Sequence, residues 1–363
     1  MSVDSNERLK LEASIEINGR RIGPGYPTYL VAEISANHHQ KFEEAVKLVH
    51  AAKDAGADAV KLQTYTPDTL TINSNKDCFR INGGSPWDGR SLYALYSEAY
   101  TPWEWQPRLK EIAEDAGIGF FSTAFDPSAV EFLEKMGVSV HKIASFEMVD
   151  IPLIEKMART GKPLIISTGM ATLEEIEDAV RAARQAGATQ LALLKCTSAY
   201  PAPPEEVNLR TICHLDKKFG VPVGLSDHTL GIAVPIAAVA LGSCIIEKHF
   251  TLSRSTRGPD TVFSLEPHEF KEMVQVIRVA EKALGEIHYG ATDQEAKNRM
   301  FRRSLFVVKG IEKGEVFTAD NVRSIRPGCG LPPKVFQNII GKRAARNIEP
   351  GTPLTWKDIL AIE

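Results

Sequence analysis

The chain has 363 residues, too many for one small core and enough for a large domain followed by a small one. Hydrophobic residues make up 43% and charged residues 25%, the balance of a soluble globular protein. The net charge of -3 argues against general nucleic-acid affinity, and no run of about 18 apolar residues appears, so no membrane-crossing helix is expected.

The N-terminal MSVDSNERLKLEAS is polar and lacks the apolar core of a signal peptide. The five cysteines are scattered, mostly among apolar neighbours, and read as buried thiols of a reducing cytoplasm, not as a disulfide frame or zinc site. β-rich runs then recur at 29–35, 58–64, 119–125, 140–145, 163–169, 191–197, 221–227 and 244–250. Amphipathic helical stretches separate most of them, as at 41–56 and 173–187, with apolar residues three and four apart and a glycine closing each. Eight strands alternating with helices predict an α/β fold, a closed (β/α)8 TIM barrel over 1–285. A doubly wound open sheet is the alternative. The barrel is favoured because polar residues gather at the carboxyl end of all eight runs, not at one switch point. Residues 68–89 form a long irregular insertion after the second run, on the face where such loops are usually functional lids. A polar linker is expected over 286–302, and a small β-rich domain over 303–363. That domain carries a weak repeat, 308-VKGIEKGEVFTADNVR-323 against 345-ARNIEPGTPLTWKDIL-360, each with a helical turn started by Thr318 or Thr355. So small a unit buries little core alone and needs to pack on the barrel or a partner chain.

In 59-AVKLQT-64, Val60 and Leu62 point one way and Lys61 and Gln63 the other, so in a barrel one pair faces the interior. A buried lysine needs a partner. The carboxylates Glu33, Glu147 and Glu247 could supply it to Lys61 and Lys142 in a structural ion network. A polyanionic substrate at the barrel mouth is the other reading, and Ser122, Thr123, Ser145, Ser167, Thr168, Thr197 and Ser198 stand ready there as hydroxyl donors. His228 and His249 end two neighbouring runs. Strands about 4.8 Å apart let both imidazoles reach one ion. Two histidines with no third fixed ligand leave positions for water and substrate, a catalytic arrangement. His38 and His39 are rival ligands, and these ligand types do not select the metal. Glu33 and Glu147 are candidates for general base or for lysine partners. Asp260 lies in a turn that could bind sugar hydroxyls or merely shape the loop.

These residues, in this order, resemble the sialic acid synthase family, the phosphoenolpyruvate-dependent nonulosonic acid synthases. The motifs are 32-AEISANH-38, 61-KLQTYTPD-68, 142-KIASFE-147, 167-STGMAT-172, 196-CTSAYP-201, 224-GLSDHT-229, 247-EKHF-250 and 258-GPD-260. The tail from about 303, with 326-RPGCG-330, resembles the family's antifreeze-like (SAF) domain. Within the family, 63-QTYTPDTLT-71, 79-FRINGGSPWDGRSLYALY-96 and 263-FSLEPHEF-270 are most similar to the pseudaminic acid synthases. The GPD turn is shared with sialic and legionaminic acid synthases, so N-acetylneuraminate and N,N'-diacetyllegionaminate remain alternative products.

The resemblance implies a transferase condensing phosphoenolpyruvate with an open-chain acetamido sugar, 2,4-diacetamido-2,4,6-trideoxy-L-altrose. C3 adds to the sugar aldehyde, water attacks C2, and phosphate leaves by C–O cleavage. It implies phosphoenolpyruvate on Lys61, Thr123, Lys142, Ser145, Ser167 and Ser198, and the sugar on Gln63, Glu147, Tyr200, Asp260 and Arg326. Glu33 would guide water or a proton beside Lys61 and Lys142. A divalent metal, Mn2+ with Mg2+ or Co2+ as substitutes, would sit on His228 and His249. Arg326 would reach the other subunit's barrel in a domain-swapped homodimer. Two departures stand out: 122-STAF-125 where sialic acid synthases tend to have STPF, and Ser198 where they tend to have asparagine. A deoxy sugar would explain them, with Phe125, Phe146 and Phe263 as apolar contacts. The competing readings are a Schiff-base aldolase using Lys61 or Lys142, and a non-catalytic carbohydrate- or ice-binding protein.

Overall fold

The structure is a computed structural model, and it describes residues 13–85 and 87–360. The polar segment read as lacking a signal peptide lies almost wholly outside the described residues. The chain divides into two compact units at Gly285 and Glu286.

The first unit opens with a short hairpin, β1 (Ile15–Ile17) and β2 (Arg20–Ile22), turned by Asn18 and Gly19 with φ of 50° and 73°. Positive φ at both positions is what a tight two-residue hairpin requires, and Asn-Gly supplies it at low cost. Eight parallel strands follow: β3 (Tyr29–Glu33), β4 (Ala59–Thr64), β5 (Gly119–Ala124), β6 (His141–Ile143), β7 (Leu164–Ser167), β8 (Leu191–Cys196), β9 (Val223–Asp227) and β10 (Ile245–His249). They close into a barrel in which β10 pairs with β3. All eight expected runs are strands, and the open-sheet alternative fails because no edge remains.

The helices between them start and stop where local chemistry dictates. Helix Leu173–Gln185 begins with a capping box in which Thr172 and Glu175 exchange side-chain and backbone hydrogen bonds. Helix Pro127–Met136 is capped by the Asp126 carboxylate and ends at Gly137, whose left-handed φ of 67° closes the last turn. Their apolar faces pack on the outward residues of the strands, among them Val60, Leu62, Phe120 and Ile166, to form the main core.

Strand alternation sends the remaining residues into the lumen. At the amino end, Val31, Ala59, Phe121, Val140, Ile165, Leu194 and Ile245 fill it, and Ile15, Ile17 and Ile22 of the hairpin plug it. Two residues further along, the register sets Glu33 beside Lys61 and His249, and Thr123 beside Lys142.

The second unit pairs β11 (Ser304–Val307) with β12 (Val322–Ile325) around a core that includes Leu305, Val307, Phe317, Val322, Ile339 and Leu354. The repeat is visible as paired equivalents. Ile311 and Ile348 exchange backbone hydrogen bonds of 3.0 and 2.8 Å. The Thr318 and Thr355 N–H groups donate to Asn321 at 2.7 Å and to Asp358 at 2.8 Å. Residues 286–302 contain two short helical turns, Asp293–Ala296 and Lys297–Phe301.

The expectation of buried thiols needs correction. Cys196 and Cys244 are buried, but Cys78, Cys213 and Cys329 are exposed. On helix Arg210–Phe219 the inward face belongs to Ile212, Leu215 and Phe219, so Cys213 points out despite its apolar neighbour. No helix among the described residues is long and apolar enough to cross a membrane.

Candidate active site

The charged layer lies at the carboxyl end of the lumen, where barrel strands present chemistry. Lys61 on β4 pairs with Glu33 on β3 at 2.5 Å, donates to Thr123 on β5 at 3.0 Å, and stands 3.7 Å from Glu247 on β10. Lys142 on β6 donates to Ser167 on β7 at 2.7 Å and stands 3.8 Å from Glu247. Ser226 on β9 donates to Glu247 at 3.0 Å. Gln63 donates to Glu33 at 3.1 Å. So an ion network does hold the two lysines, with Glu33 and Glu247 in it, and its members are almost fully buried. Desolvating four charges costs several kcal/mol each before pairing offsets it, so such a set is a poor way to gain stability. Such a set can instead offer its field to an anionic ligand.

Burial pushes the Glu33 carboxyl up to about 7, with Lys61 only partly opposing the shift. Burial also works against the Glu247 charge, but Lys142 and Lys61 overcome it and hold that carboxyl below its usual range. Burial opposes the charge on Lys61 as well; there Glu247 and Glu33 win, and its pKa is raised. For Lys142 burial wins and the pKa is lowered. One lysine is therefore firmly cationic and the other is the more easily deprotonated.

Beside Lys142 the strand ends make a hydroxyl cradle. The Gly169 N–H donates to Ser145 Oγ at 3.1 Å. A Cβ at Gly169 would lie 2.2 Å from Ser198 Oγ and 2.6 Å from Ser145 Oγ, so only glycine lets these two hydroxyls converge. Of the other hydroxyls, Ser122 turns outward to Thr64, 2.6 Å away, and Thr197 receives the Lys195 ammonium at 3.2 Å. Strand parity puts both on the helix side, which removes them from the cradle. Thr168 spends its hydroxyl on the Leu194 carbonyl at 3.1 Å.

The His228 and His249 rings lie 5.3 Å apart, centroid to centroid. His228 Nδ1 is 2.9 Å from the Thr197 carbonyl, which fixes the proton on that nitrogen and leaves Nε2 with a free lone pair. His249 Nδ1 is buried with no hydrogen-bond partner. Burial, and then His228, hold the His249 pKa well below the usual range, so the ring is neutral. Burial opposes the charge on His228, but Cys196 and the Thr197 carbonyl overcome it and raise its pKa, so a metal there competes with a proton. With one unspent nitrogen on each ring, the pair still fits a divalent metal with open positions. No group of three or more acidic, cysteine or histidine side chains among the described residues makes a closed metal cage. The rival His38 is spent: it lies 3.0 Å from Thr101 Oγ1 and accepts from the Gln40 N–H at 3.1 Å.

Above this layer opens a cavity of about 820 Å³. Gln63, Tyr96, Glu147, Ser198, Tyr200, His249 and Asp260 line it together with apolar Leu70, Leu92, Leu95, Phe125 and Phe146. Burial lifts the Glu147 carboxyl to about 7, and its Oε2 has no partner. Asp260 accepts from Ser35 Oγ at 2.5 Å and from the Ala36 N–H at 3.3 Å, tying the β10 loop to the β3 loop. Tyr200 packs 4.4 Å from the His228 ring and 5.2 Å from Phe263. Phe263 is 1% exposed and lies 4.9 Å from His249, so it backs the histidines instead of lining the cavity. Arg326 follows β12 in the second unit and is exposed.

Sequence reasoning gave Glu247 only the part of a lysine partner and passed over Ser226. Both sit two residues before a histidine of interest, and a period of two puts them in the lumen, so the signal was present.

Among known proteins, residues 48–289 match the NeuB family and residues 302–360 match the SAF domain. A pseudaminic acid synthase of Helicobacter pylori is 46% identical over 92% of this chain and 98% of its own. An N,N'-diacetyllegionaminic acid synthase of Legionella pneumophila is 38% identical over 95% of this chain and 99% of its own. The crystal structure of an N-acetylneuraminic acid (sialic acid) synthetase from Leptospira borgpetersenii, in complex with citrate, superposes with a TM-score of 0.71 at 32% identity, covering 80% of this chain and 96% of that one. With a family match across most of the barrel and relatives aligned end to end, the chain belongs to the NeuB family.

Proposed function

We propose that the chain is a pseudaminic acid synthase, a transferase that condenses phosphoenolpyruvate with 2,4-diacetamido-2,4,6-trideoxy-L-altrose and releases phosphate. The observation that carries this reading is the stacking of two unlike surfaces. A buried layer of lysines and hydroxyls lies directly beneath a roomier cavity with a largely apolar wall. The first suits a small, highly charged acid, the second an acetamido deoxy sugar. The 46% identity to a pseudaminic acid synthase supports the choice of sugar.

Phosphoenolpyruvate is held by Lys61 and Lys142, with Thr123, Ser145, Ser167 and Ser198 donating to its oxygens. Its arrival turns the lysines from Glu33 and Glu247 toward the new anion, which raises the proton affinity of Glu33. Gln63, Glu147, Tyr200 and Asp260 hold the open-chain sugar so that its aldehyde faces C3. The new C–C bond forms between C3 and the aldehyde carbon, whose oxygen takes a proton. Water adds at C2 and gives up a proton, and the C2–O bond breaks with phosphate leaving. Glu33, with a pKa of about 7, is poised to pass these protons. His228 and His249 would hold a divalent metal, Mn2+ with Mg2+ or Co2+ as substitutes, whose Lewis acidity would polarise the aldehyde. Arg326 completes the sugar site of the partner subunit in a domain-swapped homodimer of the cytoplasm.

The reaction type is tested with phosphoenolpyruvate labelled at the bridging C2–O oxygen. The label is expected in the released phosphate. Label in the keto acid, or borohydride-dependent attachment of pyruvate to Lys61 or Lys142, would contradict this mechanism. For the swap, Arg326→Ala mixed with a His228→Ala chain regains part of the activity through heterodimers; no rescue removes the swapped arrangement.

A further inference from the structure

The insertion after β4 contains a well-built hairpin at 80–91. Ile81 donates its N–H to the Arg90 carbonyl at 2.9 Å, and Gly89 donates to the Ile81 carbonyl at 2.9 Å. At its tip the Asp88 carboxylate accepts the N–H groups of Gly83, Gly84 and Ser85 at 3.3, 2.7 and 2.9 Å. These bonds hold its carboxyl near 2, so the clamp stays charged at any physiological pH.

From this hairpin Trp87 reaches across the cavity mouth to the loop after β10. Its Nε1–H donates to the Pro259 carbonyl at 3.0 Å, a contact spanning 172 residues of chain. Its ring lies 5.5 Å from that of Tyr200. Pro259 directly precedes Asp260, and Tyr200 packs on His228. One side chain thus touches both loops that carry the sugar-binding candidates. The same insertion and the helix that follows contribute Leu70, Ile81, Leu92, Leu95 and Tyr96 to the cavity wall. Such a wall, apolar except for the Tyr96 hydroxyl, accommodates an N-acetyl methyl or a deoxy carbon and offers few partners to a further hydroxyl.

We propose that Trp87 is a positioning residue. It latches the 80–91 hairpin over the sugar end of the cavity, and so presses Tyr200 and Asp260 into place and presents an apolar wall to a deoxy acetamido sugar. The inference rests on the reading of this cavity as a sugar site, and it adds the element that selects the sugar.

The test compares the full-length protein with Trp87→Phe and Trp87→Ala, measuring phosphate release while sugar and phosphoenolpyruvate are varied separately. Trp87→Ala is expected to raise KM for the 6-deoxy diacetamido sugar about tenfold or more, to leave KM for phosphoenolpyruvate within about twofold, and to narrow the preference for 6-deoxy over 6-hydroxy sugars. Trp87→Phe keeps a ring against Tyr200, loses the hydrogen bond, and should fall between. If the alanine variant melts early, the phenylalanine variant decides. An unchanged sugar KM, or equal increases for both substrates, overturns the latch. Wild-type protein inert toward every acetamido sugar overturns the synthase reading and the latch with it; an active wild type with an indifferent Trp87→Ala overturns the latch alone.

Discussion

At the amino end of the barrel, Val31, Ala59, Phe121, Val140, Ile165, Leu194 and Ile245 fill the lumen beneath a hairpin plug. Two residues further along the same seven strands stand Glu33, Lys61, Thr123, Lys142, Ser167, Cys196 and Glu247. One pleat thus separates a dry apolar plug from a layer of buried charge. The strands are equally buried in both layers, so burial alone does not mark the site. What differs is the chemistry that burial is made to hold. The apolar layer gains stability from being dry, whereas the charged layer is costly to bury and becomes useful when an anion enters. The amino end is therefore expected to govern stability, and the carboxyl end activity.

Substitutions should separate the two ends, most sharply at the histidines. His228→Ala or His249→Ala should lower metal-dependent turnover by about a thousandfold or more, and calorimetry should show weakened Mn2+ binding with little change in melting temperature. Full activity in either variant would remove the metal from the account. Lys142→Ala comes next. Loss of a charge-assisted contact to phosphoenolpyruvate should weaken its binding by about tenfold to a hundredfold, while sugar affinity is preserved. At the other end, Ile17→Ala should cost about 2–5 kcal/mol in denaturant unfolding with kcat unchanged. An equal loss of activity would mean the two ends are coupled.

The smallest effect is one of pH. Glu33 and Glu147 have folded pKa values of about 7, above the ordinary 4.5. Between these values the folded protein holds more protons than the unfolded chain. The contribution of these two carboxyls to stability is therefore present in full below about 4.5, declines as pH rises toward about 7, and then levels off. Glu147→Gln should flatten part of that decline, read as a smaller difference in melting temperature between about pH 5 and pH 8. A slope identical to wild type would mean that Glu147 does not titrate in this range.

Much of this was legible in the sequence because a strand's period of two leaves little freedom. Once Lys61 is assigned to the lumen, Gln63 follows from the same alternation, while Glu33, Lys142 and the two histidines stood out as charges and imidazoles at or near the ends of other strands. The hairpin plug was also marked, by Asn18-Gly19 between Ile15, Ile17 and Ile22, but strands of three residues offer too short a pattern to stand out. The closing of Trp87 on Pro259 carries no such local signal, because it joins segments 172 residues apart through one side chain. The convergence of Ser145 and Ser198 over Gly169 is likewise a tertiary fact. The outward turn of Cys213 shows the limit of judging burial from neighbouring residues alone.

If the carboxyl end joins phosphoenolpyruvate to a deoxy diacetamido sugar, phosphate release from phosphoenolpyruvate, measured with Mn2+ against a panel of 2-acetamido hexoses, will report it. Release should depend on both sugar and metal, with 2,4-diacetamido-2,4,6-trideoxy-L-altrose preferred by kcat/KM over N-acetylmannosamine and the legionaminate precursor. Equal turnover of N-acetylmannosamine, or phosphate release without any sugar, would contradict it.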